Sequence, residues 1–200
     1  MNKLLISLLV SIGITGVAHA AGDATAGQGK TAVCTACHSA DGNSVVGNFP
    51  KLAGQGEKYL LKQMLEIKSG VRSVPEMTGL LDNLNEQDLA DIAAFFASKN
   101  VQLGQAAADQ VEAGQKIWRA GVADKGVAAC TACHGPNGKG IDSAAYPSLS
   151  GQHAQYVEST LKKFASGDRN NDPANMMRDI ASKMSEAEMK AVSQYVQGLH

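Results

Sequence analysis

Apolar residues recur at helical spacing in three segments of the chain, whereas the strict alternation of a half-buried strand is weak throughout. In the segment 58–68, one stripe carries the side chains of Tyr59, Leu60, Gln63, Met64 and Ile67. A second segment begins at Asn85-Glu86-Gln87-Asp88, which resembles a capped helix start, and a third begins at the capping box Ser185-Glu186-Ala187-Glu188. The pattern predicts an all-α protein.

The N-terminus has the pattern of an export signal. Lys3 is followed by an apolar run from Leu4 to Val17 and then by Ala18-His19-Ala20, which has the small-x-small pattern of a cleavage site. The run is short for a membrane span. We therefore expect residues 1–20 to be a cleaved signal peptide and the mature protein to be periplasmic; the alternative is an uncleaved membrane anchor.

Composition and charge narrow the possible partners. Aromatic residues make up only 4% of the chain, which is little for small cores and suggests that another group supplies bulky apolar volume. The net charge is −1, or −2 once Lys3 is removed, and neither value favours nucleic acid or an anionic membrane. Residues 21–103 carry 7 Lys and Arg against 9 Asp and Glu, and residues 104–200 carry 10 against 10, so any docking patch is local.

The four cysteines occur in two copies of one motif, each followed directly by histidine. Two thiols separated by two residues can form thioether bonds to the two vinyl groups of one haem, and the adjacent histidine can then ligate the iron. We therefore predict two covalently bound haem c groups. The predicted attachment residues and iron ligands are Cys34, Cys37 and His38 in the first copy and Cys130, Cys133 and His134 in the second.

Three other roles are possible for these cysteines. Disulfides are common in exported proteins, but they do not require a histidine after each pair. A redox dithiol usually follows a strand of a thioredoxin-like fold, and no strand pattern precedes either copy. A shared zinc site usually has short intervals between its pairs, whereas 92 residues separate Cys37 from Cys130.

The haem motifs belong to a longer internal repeat. The segment Phe49-Pro50-Lys51-Leu52-Ala53-Gly54-Gln55 corresponds to Tyr146-Pro147-Ser148-Leu149-Ser150-Gly151-Gln152, and the offset is 96 or 97 residues from the haem motif through this segment. The chain therefore consists of two homologous domains, which we predict at residues 21–103 and 104–200. The stretch 101–109, rich in Ala, Gln and Gly, is the predicted linker.

A methionine occupies an equivalent position in each copy. Met77 lies eight residues before Asn85, and Met177 lies eight residues before Ser185. A thioether suits haem iron, so Met77 and Met177 are the predicted sixth ligands. The alternative is that both only fill the core, as most methionines do. Met176 competes with Met177 for the role in the second domain.

The prolines of the repeat are candidates for orienting the histidines. An iron-bound histidine usually donates its second ring N–H to a carbonyl or carboxylate. Pro50 and Pro147 lie 12 and 13 residues after His38 and His134, and their carbonyls are the candidate acceptors. The alternative is that either proline only stiffens a turn.

Other polar and aromatic residues receive less specific roles. Tyr59 and Tyr156 are expected to pack in the core or to hydrogen-bond near a haem edge. Trp118 is expected to pack within the first helix of the second domain. Surface positions, rather than contacts with haem propionates, are predicted for Arg72, Arg169, His153 and His200.

Taken together, the export signal, the two Cys-Thr-Ala-Cys-His motifs, the two Pro-x-Leu-x-Gly-Gln segments, the Glu76-Met77-Thr78-Gly79 segment and the closing Gln197-Gly198-Leu199-His200 resemble the cytochrome c4 family. The resemblance covers essentially all of the mature chain. It implies two class I cytochrome c domains in a pseudo-twofold arrangement, His/Met ligation of both irons, and propionate edges that lie close together. It also implies electron transfer in bacterial respiration toward a terminal oxidase.

We therefore expect a monomeric electron carrier with redox proteins as partners, such as a quinol-oxidising donor complex and a terminal oxidase, and with membrane contact only through them. Two alternatives stay open. One is a dihaem enzyme of the peroxidase or thiosulfate-oxidising type, which needs a releasable iron ligand or a cysteine ligand. The other is a cytochrome subunit of a larger oxidoreductase complex.

Overall fold

The structure is a computed structural model that describes residues 21–200, so the predicted signal peptide lies outside the described residues. Nine α-helices span this part of the chain: α1 Ala24–Gln28, α2 Thr35–His38, α3 Glu57–Lys68, α4 Glu86–Ala97, α5 Val111–Ala120, α6 Thr131–His134, α7 Ala154–Ser166, α8 Met176–Ala181 and α9 Glu186–Gln197. Within the same residues, β-pairing is limited to two isolated bridges, Val122 with Val127 and Ile141 with Tyr146. The prediction of an all-α protein is confirmed.

The caps expected from the sequence fix the starts of α4 and α9. The Asn85 side chain accepts from the Asp88 N–H at 2.9 Å, and the Asp88 carboxylate accepts from the Asn85 N–H at 2.9 Å. Ser185 and Glu188 make the same reciprocal pair in α9. These bonds satisfy amide groups that otherwise lack partners at a helix N-terminus.

We call residues 21–103 the first module and residues 104–200 the second module. In each, a short N-terminal helix crosses the last helix at a glycine: α1 packs against α4 and α5 against α9. A Cβ atom at Gly27 would overlap the carbonyl of Asp91, and one at Gly114 would overlap that of Ala191. Glycine therefore permits the close approach of the two helices in both modules.

The other long helix of each module also packs against the last helix, α3 on α4 and α7 on α9. The haem motifs lie in α2 and α6, each a single turn between the N-terminal helix and the proline segment. Both methionine loops precede the last helix. The segments that carry the candidate ligands are therefore held by the same three-helix frame in each module.

The predicted linker is fastened to the second module. The Gly104 N–H donates to the Gln197 carbonyl at 3.1 Å, and the Gln197 side chain donates to the Gln105 carbonyl at 2.7 Å. The Ala107 N–H donates to the Gln194 side chain at 3.2 Å. Residues 104–107 thus run along α9, whereas the Gln102 N–H donates to the Asn43 side chain of the first module at 2.7 Å. The boundary between residues 103 and 104 stays a prediction.

Across residues 21–200, every helix is too short or too polar to cross a membrane.

Candidate haem sites

The two motif histidines are buried and each is held by a proline carbonyl. His38 ends α2 and is 7% exposed, and His134 ends α6 and is 8% exposed. Nδ1 of His38 lies 2.9 Å from the Pro50 carbonyl oxygen, and Nδ1 of His134 lies 3.0 Å from that of Pro147. The sequence predicted these two prolines as acceptors, and the structure places both carbonyls at hydrogen-bonding distance.

The ionisation of the histidines suits metal ligation. Burial lowers the pKa of His38 and of His134, and the proline carbonyls oppose this effect only in part. The neutral ring donates from Nδ1 to the proline carbonyl, which leaves the lone pair on Nε2. Among the described residues, the hydrogen bonds of both rings are made through Nδ1 alone, so Nε2 is available to an iron.

The four cysteines are free and half-buried. Burial raises the pKa of Cys34, and it raises that of Cys130 to about 11. A redox dithiol needs a lowered thiol pKa, so these values do not favour that alternative. Within residues 21–200, His, Cys, Asp and Glu side chains do not gather in groups of three that could hold a metal ion, which disfavours the zinc alternative.

The donor set therefore fits haem c. Each site presents two uncommitted thiols two residues apart, and a neutral buried imidazole with a free Nε2 follows them. The core clusters touch the motifs, since Cys34 packs against the core of the first module and Cys130 against that of the second. A haem attached there would be bounded by apolar side chains, which supply the low-dielectric surroundings that tune a haem.

Met77 closes a short 3-10 turn, Pro75–Met77, and its N–H donates to the Val74 carbonyl at 2.9 Å. The side chain is half-buried and lies outside the core cluster of the first module. It lines a cavity of about 410 Å³ together with Ile67, Arg72 and Leu81. Met64, which the sequence assigned to packing, does contact the core cluster.

Met177 is the second residue of α8, a helix that the sequence pattern did not predict. The Asp172 carboxylate accepts from the Met177 and Arg178 N–H groups at 3.0 Å and pairs with the Arg178 guanidinium at 2.7 Å. The competing Met176 has its sulfur 3.9 Å from the Tyr146 hydroxyl. The loop is therefore fixed by Asp172, and the two adjacent methionines have different surroundings.

The modules meet through residues at equivalent positions of the repeat. The Gln55 side chain accepts from the Ser148 N–H at 2.7 Å and donates to the Ser148 carbonyl at 2.9 Å. The Gln152 side chain accepts from the Lys51 N–H at 2.9 Å and donates to the Lys51 carbonyl at 2.9 Å. Because Gln55 and Gln152 correspond in the repeat, as do Lys51 and Ser148, the contact is reciprocal and follows a pseudo-twofold axis.

Two arginines make a second reciprocal contact. Arg72 donates to the Tyr156 hydroxyl at 3.1 Å, and Arg169 donates to the Tyr59 hydroxyl at 2.9 Å. Burial raises the pKa of Tyr156, but the charges of Arg72 and Arg169 outweigh burial and lower it to about 8. Both tyrosine hydroxyls thus accept a hydrogen bond from an arginine of the other module, and their position relative to a haem edge stays a prediction.

The predicted surface positions of three residues were wrong. Arg169 is 9% exposed and also bonds to Gln63 at 3.0 Å, while Arg72 is half-buried and bonds to the same Gln63 oxygen at 2.8 Å. His153 is half-buried, and its Nε2 lies 2.8 Å from the Ser44 carbonyl of the other module. Single-module reasoning could not place them, because each has at least one hydrogen-bond partner in the other half of the chain. His200 is exposed, as predicted, and Trp118 lies in α5 at 1% exposure, as predicted.

The comparisons with known proteins agree with this arrangement. The cytochrome c family model matches residues 24–99 and 111–200. A cytochrome c4 from Azotobacter vinelandii is 58% identical over 210 residues, with both chains covered in full. The crystal structure of reduced recombinant cytochrome c4 from Pseudomonas stutzeri matches with a TM-score of 0.88 at 52% identity, over 90% of this chain and all of that one. The chain belongs to the cytochrome c4 family.

A more distant relative has a different printed role. A thiosulfate dehydrogenase electron acceptor from Stutzerimonas stutzeri is 35% identical over 167 residues, which cover 81% of this chain and 76% of that protein. Membership of the cytochrome c4 family, together with two haem motifs, gives the chain two covalently bound haem c groups. It is a dihaem electron-transfer cytochrome.

Sequence reasoning missed the two glutamines at the module contact. Their signal was present, since Gln55 and Gln152 close the two copies of the proline segment as identical polar residues. Both are buried, at 6% and 5% exposure. A repeated polar residue in a buried segment points to a partner, but a sequence without structure does not show that the partner is the other copy.

Proposed function

We propose that this member of the cytochrome c4 family is a monomeric periplasmic electron carrier of a respiratory chain. It takes electrons from a quinol-oxidising complex, passes them to a terminal oxidase, and touches the membrane only through these partners. The observation that carries the proposal is the equivalent pair of sites, in which a buried neutral histidine and a methionine loop recur in both modules. Two sites with both iron ligands supplied by the protein favour electron transfer over binding of a substrate.

We assign the site residues accordingly. Cys34, Cys37, Cys130 and Cys133 form the thioether bonds. The proposed iron ligands are His38 and Met77 for the first haem and His134 and Met177 for the second. The anchored turn before Met177 favours it over Met176, whose sulfur faces the Tyr146 hydroxyl. The domain limits 21–103 and 104–200 and the cleaved signal 1–20 complete the assignment.

The protein's own groups set the conditions for transfer. Haem, when bound, supplies a one-electron couple between its ferric and ferrous states. The Pro50 and Pro147 carbonyls orient the two histidines and keep Nε2 as the donor atom. The apolar clusters keep water from the iron side of each site, and ligands fixed on helices and short turns need little rearrangement between oxidation states.

The rival hypothesis is a dihaem enzyme. A peroxidase needs an iron with an open or releasable position, and a thiosulfate-oxidising cytochrome can use a cysteine as a ligand. All four cysteines lie in the two attachment motifs, and each module has a methionine loop in the equivalent place. The relative named as an electron acceptor of thiosulfate dehydrogenase is itself a recipient of electrons, so it adds a donor to be tested rather than a catalytic role.

An optical experiment on the purified periplasmic protein tests the proposal. We expect two covalent haems per chain, the full far-red band that methionine gives to ferric haem, and no turnover of added hydrogen peroxide or thiosulfate. We also expect Met77→Ala and Met177→Ala each to abolish half of that band and to lower the potential of one haem, within the range of about 0.8 V that axial ligands control. Met176→Ala is the matched control and should keep the full band.

Two results would contradict the assignment. Rapid peroxide or thiosulfate chemistry, together with a missing methionine band in the unmutated protein, would make one module a catalytic site. A Met177→Ala protein with a full band and a Met176→Ala protein without one would exchange the two ligands. Stopped-flow measurements compare two rates: oxidation of the cytochrome by membranes that contain a terminal oxidase, and its reduction by thiosulfate dehydrogenase. The comparison shows whether the oxidase is an acceptor and whether thiosulfate dehydrogenase is a donor.

A further inference from the structure

One peptide group links the iron-binding side of each module to the opposite module. The carbonyl oxygen of the Pro50–Lys51 peptide lies 2.9 Å from Nδ1 of His38, and the N–H of the same peptide donates to Oε1 of Gln152 at 2.9 Å. His38, Lys51 and Gln152 are all buried, at 7%, 7% and 5% exposure. The chain of hydrogen bonds thus begins at an axial histidine of the first module and ends on a side chain of the second.

The same chain exists in the opposite direction. The carbonyl of the Pro147–Ser148 peptide lies 3.0 Å from Nδ1 of His134, and its N–H donates to Oε1 of Gln55 at 2.7 Å. Gln55 is 6% exposed. Each glutamine also donates its amide N–H to the next carbonyl, that of Lys51 or Ser148, so the orientation of its oxygen is fixed.

The two bonds on one peptide strengthen each other. When a peptide N–H donates a hydrogen bond, the peptide becomes more polarised and its carbonyl oxygen becomes a better acceptor. A stronger acceptor at Nδ1 makes the imidazole a more basic ligand, as outer partners of metal-bound histidines do. A more basic ligand favours the oxidised iron and therefore lowers the reduction potential.

We propose that Gln152 and Gln55 are positioning residues that tune the haem of the opposite module through the proline peptide. This inference rests on the proposed ligation of the haems by His38 and His134. It assigns to the module contact a role beyond holding the halves together. Each module carries the glutamine that sets how strongly the histidine of the other module donates to its iron.

The decisive variant is Gln152→Leu in the full holoprotein. It removes the acceptor of the Lys51 N–H, so the Pro50 carbonyl becomes a weaker acceptor. We expect the equilibrium constant for reduction of the first haem to rise about three- to tenfold, where tenfold equals 59 mV for one electron. A redox titration followed by the NMR signals of the ring methyl groups assigns a potential to each haem. In the reduced protein, the Nδ1–H proton of His38 should shift toward the position of a weaker hydrogen bond.

The proposal predicts a crossed pattern that a local effect does not give. The Gln152 oxygen also accepts from the His153 N–H at 3.0 Å, at the start of α7 in its own module. A local disturbance would therefore appear at the second haem, whereas the relay predicts the main shift at the first. Gln55→Leu should give the reverse, with the main shift at the second haem and at the His134 ring proton.

Two further variants keep the test sharp. Gln152→Asn keeps a polar amide of shorter reach and replaces Gln152→Leu in the test if that variant does not fold. It should also raise the reduction potential of the first haem. His153→Asn is the matched control, because His153 contacts Ser44 across the same module contact without touching the proline peptide. It should leave the potential of the first haem unchanged.

The outcomes separate this inference from the function on which it rests. Unchanged potentials in both glutamine variants, or shifts confined to the haem of the mutated module, would overturn the relay while the two haems and their methionine bands stay intact. If His153→Asn shifts the potential of the first haem as much as Gln152→Leu does, the cause is a general loosening of the module contact. That result would also overturn the relay. Failure of the proposed ligation would instead appear in the unmutated protein, as a missing His38 or His134 signal among the iron ligands.

Discussion

The two modules share one frame but stabilise it with different residues. Among the described residues, the core cluster of the second module contains fourteen buried side chains, and that of the first contains five. In the repeat, Trp118 of the second module corresponds to Thr31 of the first. The helix frame therefore does not require one set of core residues.

Polar contacts replace part of that packing in the first module. Asp91 on α4 is 3% exposed, and the corresponding residue of the second module is Ala191. The Asp91 carboxylate accepts from the Asp23 N–H at 2.9 Å, from Gln87 at 2.8 Å and from the Lys30 ammonium at 2.6 Å. Asp91 thereby ties α1 to α4. The equivalent junction in the second module, between α5 and α9, is made by apolar packing.

The two modules complete their small cores in different ways. The first module has the smaller core of its own side chains, so a larger share of its apolar burial depends on the haem. The junction between its helices α1 and α4 depends on the Asp91 carboxylate, whose charge depends on pH. We therefore expect the second module to keep its structure when side chains or the pH destabilise the first.

The largest effect is expected from Trp118→Ala. Trp118 is 1% exposed, its ring packs against Tyr195 at a centroid distance of 6.4 Å, and its Nε1–H donates to the Pro136 carbonyl at 3.1 Å. Truncation of a buried aromatic residue costs about 3–5 kcal/mol of the free energy of unfolding. Hydrogen exchange followed by mass spectrometry should show that loss in α5 and α9, with α1 and α4 nearly unchanged.

Thr31→Ala is the matched control at the corresponding position of the first module. Thr31 is buried, and its hydroxyl donates to the Gln28 carbonyl at 3.0 Å. Removal of one such hydrogen bond costs about 1 kcal/mol. If Trp118→Ala and Thr31→Ala lose equal stability, the second module does not depend more on its own core side chains than the first, and the proposed difference between the modules is wrong.

A smaller effect is expected at acid pH from Asp91. The Asp23 N–H, Lys30 and Gln87 together lower the pKa of Asp91 to about 2. Because the folded pKa lies below that of the unfolded chain, near 3.8, this contribution to stability is present above pH 4 and is lost as the pH falls toward 2. Thermal unfolding combined with hydrogen exchange should show loosening of α1 from α4 in that range.

Asp91→Asn isolates the carboxylate from the other acids of the chain. The variant should be less stable than the parent at pH 6, and its α1–α4 junction should change less between pH 4 and pH 2. The α5–α9 junction serves as the internal control, because Ala191 does not titrate. Equal acid loosening of both junctions in the parent would remove Asp91 as the cause.

Much of the fold follows from local sequence signals, and the contact between the modules does not. The capping boxes at Asn85 and Ser185 and the stripe of α3 are local, because a cap and its partner lie within one turn. The orientation of His38 and His134 by the prolines could also be predicted from the motif spacing. Helix α8 was missed because it is only six residues long. Its start is fixed by Asp172, and Ile180 and Ala181 pack against the core of the second module.

The buried arginine shows why the rest was hidden. Arg169 looks like a surface residue in its own module, and its burial depends on Tyr59 and Gln63, about a hundred positions earlier in the chain. The repeat reveals that two modules are equivalent, but equivalence alone does not say which faces meet. Reciprocal contacts such as that of Gln55 with Ser148 become visible only when both modules are placed together.

The smallest expected effect concerns one backbone position after each histidine. Ser39 has φ 65° and ψ 161°, and the corresponding Gly135 has φ 75° and ψ 161°. Such a conformation is essentially confined to glycine and costs other residues about 1–3 kcal/mol. Ser39→Gly should therefore stabilise the first module, although the more flexible unfolded chain offsets part of the gain.

The exchange of these two residues tests whether the strain itself distinguishes the modules. We expect Ser39→Gly to raise the free energy of unfolding by about 1 kcal/mol and Gly135→Ser to lower it by about the same amount, as measured by denaturant titration of the holoprotein. A Cβ atom at Gly135 would meet no heavy atom within 4 Å, so a loss there reports the backbone conformation and not a clash. If Gly135→Ser is neutral, this backbone conformation costs serine little, and the difference between the modules must come from their cores and from the Asp91 junction.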